Sequence, residues 1–144
     1  MLFRSEMLRR RADLLGRGMP HLVLEQDGSV RGYAYAGPYR PRAAYRDTVE
    51  NSVYLAADAI GLGFGRRLLA ALIDDCAARG LRQMVAVVGD SANLPSIRLH
   101  ERLGFRTVGT LVAVGFKHGR WLDTVLLQRA LGPGDGTPPA ARAE

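Results

Sequence analysis

Residues 48–71 of this 144-residue chain read TVENSVYLAADAIGLGFGRRLLAA, and few folds accommodate such a run. It begins with a period of two. Val49, Val53 and Leu55 fall on one side, and Thr48, Glu50, Ser52 and Tyr54 on the other, as in a half-buried strand. Gly61, Gly63 and Gly65 follow, and then Leu68, Leu69, Leu72, Ile73 and Cys76 recur at helical spacing. A strand, a glycine turn and a helix start make a natural anion site. The first amides of a helix have no partner within it, the helix dipole adds positive potential there, and glycine lets a bulky anion approach the backbone. Arg66 and Arg67 add charge beside that point. Alone, the glycines read more readily as an ordinary surface turn. A dinucleotide fingerprint needs GxGxxG after a buried apolar strand, and here the spacing differs and the strand carries a polar row.

Composition narrows the class. Hydrophobic residues make up 47% and charged residues 24%, as in a soluble globular domain, and the length suits one core. No apolar run approaches membrane-spanning length, the start MLFRSEMLRRRADLL lacks the apolar core of a leader, and a cytoplasmic protein with no membrane partner is expected. The single cysteine, Cys76, lies on the apolar helix face and reads as a packing residue. The net charge of +6 admits nucleic acid, but the arginines are scattered and no aromatic-basic motif accompanies them. A basic surface equally suits a polyphosphate cofactor. No nucleic-acid partner is expected.

In chain order, residues 5–16 read as an amphipathic helix closed by Gly16 and Gly18. His21–Gln26 and Val30–Gly37 read as a hairpin turning at Asp27-Gly28. A stiff loop with two prolines, residues 37–42, leads to the strand at 47–56, and the helix after the glycines spans about 63–79. Residues 83–88 are apolar throughout, which predicts a strand buried on both faces. A loop at 89–93, a short helix at 94–103 and two strands joined at His118-Gly119 follow. Residues 132–144, rich in Gly, Pro and Ala, predict a disordered tail after a single domain of residues 1–131. The order α-β-β-β-α-β-α-β-β is a mixed α/β domain, with antiparallel hairpins at both ends and a parallel crossover between them.

The stretches YRPRAAYRDTVENSVYL (39–55), GLGFGRRLL (61–69), VAVVGDSANLPSIRLHERLGF (85–105) and VGFKHGRWLDTVLLQRAL (114–131) resemble the GNAT N-acetyltransferases, and within them the phosphinothricin and methionine-sulfoximine acetyltransferases. The resemblance covers about residues 20–131 and implies the GNAT acyl-CoA N-acyltransferase fold. The family opens with a further strand and helix ahead of the helix at 5–16, so an N-terminally truncated version of the fold is expected. The implied donor is acetyl-CoA and the implied acceptor a small molecule with a free α-amino group, with a peptide or protein amino-group acetyltransferase, or a non-catalytic truncated module of the same fold, as the alternatives. Implied cofactor contacts are Gly61, Leu62, Gly63, Phe64, Gly65 and Arg66 at the pyrophosphate, the backbone of Val53, Tyr54 and Leu55 along the pantetheine arm, and Asn93 at its far end. Glu50 is the implied general base and His100 the second catalytic residue. Arg40, Pro41 and Arg42, with Asn51 and Ser52, would line the acceptor pocket. Where the family usually carries Arg or Gln before the glycines and Pro earlier in the turn, this chain has Ile60 and Ala57. The last strands offer a surface for a homodimer.

The residue types bear on the chemistry independently. An ammonium has no lone pair, so an amine acceptor must lose a proton near neutral pH. A carboxylate in a partly dry cleft can take it, although Glu50 also reads as a solvent-facing strand residue. His100 can protonate a leaving thiolate, or can simply pack between Ile97 and Leu103. Arg40 and Arg42 suit a carboxylate, or are solvated loop residues. No activated Cys or Ser signature is present, which favours direct attack over an acyl-enzyme. Trp121 reads as packing and Asp123 as a structural hydrogen-bonding group. His21 and His118 have no metal-ligand spacing, and no metal is expected.

Overall fold

The computed structural model describes residues 11–13, 15–16 and 18–141. Residues 11–13 and 15–16 are helical, and the rest of the helix expected from residue 5 lies outside the described residues. Six strands then form one mixed sheet: β1 (His21–Gln26), β2 (Ser29–Pro38), β3 (Thr48–Leu55), β4 (Gln83–Val88), β5 (Arg106–Lys117) and β6 (Arg120–Ala130), in the spatial order β1-β2-β3-β4-β6-β5. Helix α1 (Phe64–Ala78) crosses from β3 to β4, and α2 (Leu94–Arg102) lies between β4 and β5. Both hairpins turn where the local sequence asks for it. Asp27 (φ 51°) with Gly28 (φ 80°), and His118 (φ 53°) with Gly119 (φ 74°), take the paired left-handed conformations of a two-residue turn whose twist matches its strands.

The core lies on one face of the sheet. Leu68, Leu69, Leu72, Ile73 and Cys76 of α1 are buried against Ala34, Ala36, Val49, Met84, Ala86, Val125 and Leu127. Ile97, Leu99 and Leu103, from α2 and its end, pack against the same cluster. Each fully buried leucine contributes about 1.5–3 kcal/mol. Because both helices share this face, β4 is not buried on both sides as its apolar run predicts. Met84, Ala86 and Val88 are buried, whereas Val85 is half-buried and Val87 is exposed on the opposite face.

The only parallel pairing recorded among the described strands is brief. Thr48, Val49 and Glu50 pair with Gln83, Met84 and Val85, and beyond that point no β3–β4 pairing continues, although β3 runs on to Leu55 and β4 to Val88. The outer partners hold firm: β2 pairs with β3 as far as Leu55, and β6 pairs with β4 as far as Val88. The sheet therefore opens a wedge between its two central strands, toward their carboxyl ends.

The tail departs from the expectation of disorder from residue 132. Leu131 is buried and its amide donates to the Arg82 carbonyl at 2.9 Å. The Arg82 guanidinium donates to the carbonyls of Gly134 (2.8 Å), Thr137 (2.8 Å) and Pro138 (3.0 Å). Three carbonyls on one cation hold residues 134–138 against the start of β4, an arrangement that composition does not reveal. At the far edge of the sheet, β5 exposes Val112, Val114 and Phe116, and its register with β6 shifts between Leu111 and Gly115. Ala113 sits there at φ 55°, its amide donating to Asp123 Oδ1 at 2.9 Å, which makes Asp123 the structural group expected of it. Trp121 is not core packing: it is largely exposed and meets Phe116 edge-on at 5.0 Å.

Two substitutions test this packing. A Cβ on Gly32 would stand 2.7 Å from the Tyr54 carbonyl oxygen and 2.8 Å from Leu55 Cδ2, so β2 cannot accept it without moving β3. Gly32→Ala is expected to cost about 1–3 kcal/mol in urea unfolding, where an exposed strand glycine would gain from the change. Arg82→Ala is expected to cost about 1–2 kcal/mol and to speed amide exchange at Gly134 and Gly136, with β1–β3 unaffected.

Candidate active site

At the end of β3 the chain makes a short 3-10 turn, Ala57–Ala59, and then enters the glycine segment. Gly61 (φ 84°) and Gly63 (φ 80°) occupy the left-handed region that a side chain resists, so these two glycines are conformational requirements. Gly65 is different. It lies inside the first turn of α1, buried, where a Cβ would meet Leu99 Cδ2 at 3.4 Å and Leu55 Cδ1 at 3.5 Å, so its smallness serves the seam between the helices and β3. The Gly63 carbonyl accepts from the Arg67 amide at 3.2 Å. The amides of Phe64, Gly65 and Arg66 therefore precede the first helical hydrogen bond, and Gly63 provides no side-chain cap. No acidic residue occupies that turn, and Arg66 and Arg67 are exposed beside it. Uncapped amide donors and the positive end of a helix thus meet at this turn. The Phe64 side chain is buried, leaving only its amide for a ligand, and Ile60 and Leu62 expose apolar surface at the rim.

Arg31 of β2 braces this turn, a role the sequence reading does not anticipate. Its Nη1 donates to Asp58 Oδ2 at 3.2 Å and its Nη2 to the Asp58 carbonyl at 3.4 Å, while its own carbonyl accepts from the Ala56 amide at 2.9 Å. The two residues lie 27 positions apart, and only the β2–β3 register brings them together.

The wedge runs back from the turn along β3. Past Glu50 the backbone of Asn51–Leu55 keeps its partner β2 on one side and has no β4 pairing on the other. An extended ligand can add there as a short strand, as expected for Val53, Tyr54 and Leu55. Glu50 stands at the fork, the last β3 residue paired with β4. Its side chain is half-buried, and that burial raises its pKa above the ordinary carboxylate value. Ser52 and Tyr54 share its face. That face also carries an aromatic ladder that the sequence reading misses. Tyr33 stacks on Tyr54 at 4.9 Å, and His21 on Tyr35 at 5.6 Å, with Tyr33 and Tyr35 6.4 Å apart. The alternation of Tyr33 and Tyr35 in β2 was the available signal.

Asn51 does not join Glu50 and Ser52 in a pocket. The strand's period of two turns it to the helix face, where it is buried and its Oδ1 lies 3.2 Å from His100 Nε2. His100 itself is buried in α2. Its Nδ1 lies 2.7 Å from the Ser96 carbonyl oxygen, and its ring meets Phe105 edge-on at 4.9 Å. Burial lowers its pKa, partly offset by the Ser96 carbonyl. Glu50 and His100 thus approach the fork from opposite faces of one strand.

The remaining candidates bracket this axis. Arg40, Pro41 and Arg42 are exposed in the loop before β3, at the strand end nearer Glu50, and the Arg40 guanidinium sits 5.2 Å over the Tyr39 ring. Asn93 caps α2, its Oδ1 accepting from the Ser96 amide at 3.3 Å. The loop before it is tied down: Asp90 pairs with Arg120 at 2.6 Å and accepts from the Ala92 amide at 2.9 Å, both holding its carboxyl low, and the Ser91 amide donates to the Asp123 carbonyl at 3.1 Å. Cys76 is buried, and its thiol is pushed up to about 12, chiefly by desolvation. Among the described residues, no group of three or more His, Cys, Asp or Glu is placed to hold a metal, and no helix is long and apolar enough to cross a membrane.

Comparison with known proteins agrees with this geometry. The Acetyltransferase (GNAT) family pattern matches residues 2–105. A phosphinothricin N-acetyltransferase of Alcaligenes faecalis is 56% identical over 135 residues, covering 94% of this chain and 68% of the relative. An L-methionine sulfoximine/L-methionine sulfone acetyltransferase of Pseudomonas paraeruginosa is 46% identical over 123 residues, covering 85% of this chain and 71% of that protein. The crystal structure of a GNAT superfamily phosphinothricin acetyltransferase from Sinorhizobium meliloti in complex with AcCoA superposes with a TM-score of 0.90 at 50% identity, over 94% of this chain and 74% of the other. With the family pattern spanning most of the chain, and a relative 56% identical over 94% of it, the chain belongs to the GNAT acetyltransferase family.

Proposed function

We propose that the chain moves the acetyl group of acetyl-CoA to the α-amino group of a small amino acid or analogue of the phosphinothricin and methionine-sulfoximine type. The observation that carries this reading is the wedge. β3 leaves β4 immediately after a carboxylate of raised pKa and ends at a turn of unpartnered helix amides, so an activated acyl carrier and a base meet along one strand. In this reading the amides from Gly61 to Arg66 hold the pyrophosphate, with Arg66 adding charge. The β3 backbone at Val53, Tyr54 and Leu55 pairs with the pantetheine arm. The Asn93 amide meets its far end.

Arg40 and Arg42 hold the acceptor's carboxylate in a loop that Pro41 stiffens, and Ser52 lines the same face as Glu50. Glu50 takes a proton from the acceptor's ammonium, directly or through water, and burial raises its pKa above the ordinary carboxylate value, which favours that role. The freed amine attacks the thioester directly. Cys76, buried and held as a neutral thiol, does not serve as an acyl carrier.

Glu50→Gln tests the assignment in two ways, by function and by stability. Acetyl-CoA binding by calorimetry is expected to be unchanged from the parent, while thiol release with methionine sulfoximine at neutral pH falls about 10²–10⁴-fold. Full activity in the variant would remove Glu50 as base. A parent active only on a peptide α-amine would replace the small acceptor, and a folded parent that fails to bind acetyl-CoA would overturn the transferase reading.

The second measurement uses stability. Below the ordinary carboxylate range Glu50 is protonated in both the folded and unfolded chain. As pH rises through that range, the unfolded chain ionises first, because the folded pKa is raised. Glu50 therefore costs stability in a window that opens at the ordinary value and is complete above the raised one. Urea unfolding is expected to show Glu50→Gln gaining on the parent between pH 4 and pH 8. A constant difference across that range would contradict it.

A further inference from the structure

The buried pair of Asn51 and His100 has a proton arrangement that its geometry decides. His100 Nδ1 faces the Ser96 carbonyl at 2.7 Å, and a carbonyl only accepts, so Nδ1 carries a proton. Nε2 faces Asn51 Oδ1 at 3.2 Å. If that oxygen stays there, Nε2 must also carry a proton, and the ring becomes a cation. Among the described residues no charged group acts on the ring. Phe105 lies edge-on against it, and Ile97, Leu99 and Leu103 of the same segment pack into the apolar core. Arg98, Glu101 and Arg102 of the same helix are exposed, and the adjacent Glu50 projects from the opposite face of β3. An unbalanced buried cation is costly.

The same orientation leaves Asn51 Nδ2 buried without a hydrogen-bond partner. Turning the amide end for end removes both difficulties. Nδ2 then donates to Nε2, the ring is neutral, and the group left over is a carbonyl oxygen, which tolerates burial better than an orphaned N–H.

We propose that Asn51 is a positioning residue that donates from its amide nitrogen to His100 Nε2 and so holds the resting imidazole neutral, with its proton on Nδ1. This rests on the acetyl-transfer reading for its consequence, though not for its proton arrangement. With a lone pair at Nε2, His100 cannot begin the cycle as the proton donor that its position on α2 suggests. It first takes a proton at Nε2. In acetyl transfer that proton leaves the attacking nitrogen as the new N–C bond forms, and it passes to the CoA sulfur as the C–S bond breaks; Nε2 has one lone pair, so the Asn51 amide swings off it for each transfer, and the ring ends as it began. The Asn51 amide serves both states: its nitrogen donates to the neutral ring, and its oxygen, after rotation, accepts from the protonated one. A side chain that only donates or only accepts would favour one state and hinder the return.

Long-range ¹⁵N–¹H correlation spectra of histidine-labelled parent protein without ligands test the first part. The expected His100 pattern at pH 7 is a protonated Nδ1 and a bare Nε2. A protonated Nε2, in either the neutral or the charged ring, would overturn the proposal. Asn51→Asp, an acceptor alone when ionised, is expected to move the His100 proton to Nε2 or to shift its titration upward, and an unmoved spectrum in the folded variant would count against Asn51 as the partner.

Turnover tests the second part. Asn51→Asp and Asn51→Leu are expected to lower kcat at least tenfold with KM for the acceptor changed less than threefold. In the His100→Phe background Asn51→Leu should add less than twofold. Additive losses would show that Asn51 acts apart from His100. Because the spectra need neither substrate nor activity, failure of acetyl transfer and failure of the proton arrangement are read separately.

Discussion

One short parallel contact governs this structure. Three residue pairs join β3 to β4, and the two strands then separate while each stays bound to its outer neighbour. A parallel pair requires a crossover, and the crossover here is α1, whose apolar face closes the core under the fork and whose amino end delivers the glycine turn to the tip of β3. Had the pairing continued to Leu55, the backbone edge would be satisfied by β4 and no extended ligand could lie along it. The unpaired edge of β3 is thus a cost in hydrogen bonds and, in the proposed reading, the opening along which the cofactor binds.

The functional groups are distributed by the pleat of β3. Adjacent residues point to opposite faces, so Glu50 meets the aromatic side of the sheet while Asn51 meets α2 and His100. Their environments then diverge. The carboxylate is half-buried and gains proton affinity, whereas the imidazole is enclosed by apolar groups and loses it. Two groups on one strand level, shifted in opposite directions from their ordinary values, are brought toward the same pH range without any charge pair between them.

Most of the fold was legible because each boundary has a local cause. The turns at Asp27-Gly28 and His118-Gly119, the period of Leu68 to Cys76, and the alternation along β3 are all encoded within a few residues. What escaped the sequence depends on distant partners. The exposure of Val87 follows from both helices choosing one face, which its apolar run cannot announce. The order of residues 134–138 follows from the guanidinium of Arg82 at the start of β4, and the bracing of Asp58 follows from Arg31 across a hairpin. In the site, the glycine turn was legible from the positions that need left-handed backbone, and strict alternation from Glu50 already turned Asn51 toward the helices, where its contact with His100 depends on a partner 49 positions away.

The break in β5 has a consequence for how the molecule behaves among its own copies. A strand of this length, at a sheet edge and bearing Val112, Val114 and Phe116 in the open, is the template on which proteins add strand to strand and aggregate. The left-handed Ala113, pinned by the Asp123 carboxylate, interrupts the run of evenly spaced amides at the middle of that edge. An incoming strand would meet two short segments out of register with each other. Asp123 thereby breaks up that edge from the neighbouring strand, without being on the edge it interrupts.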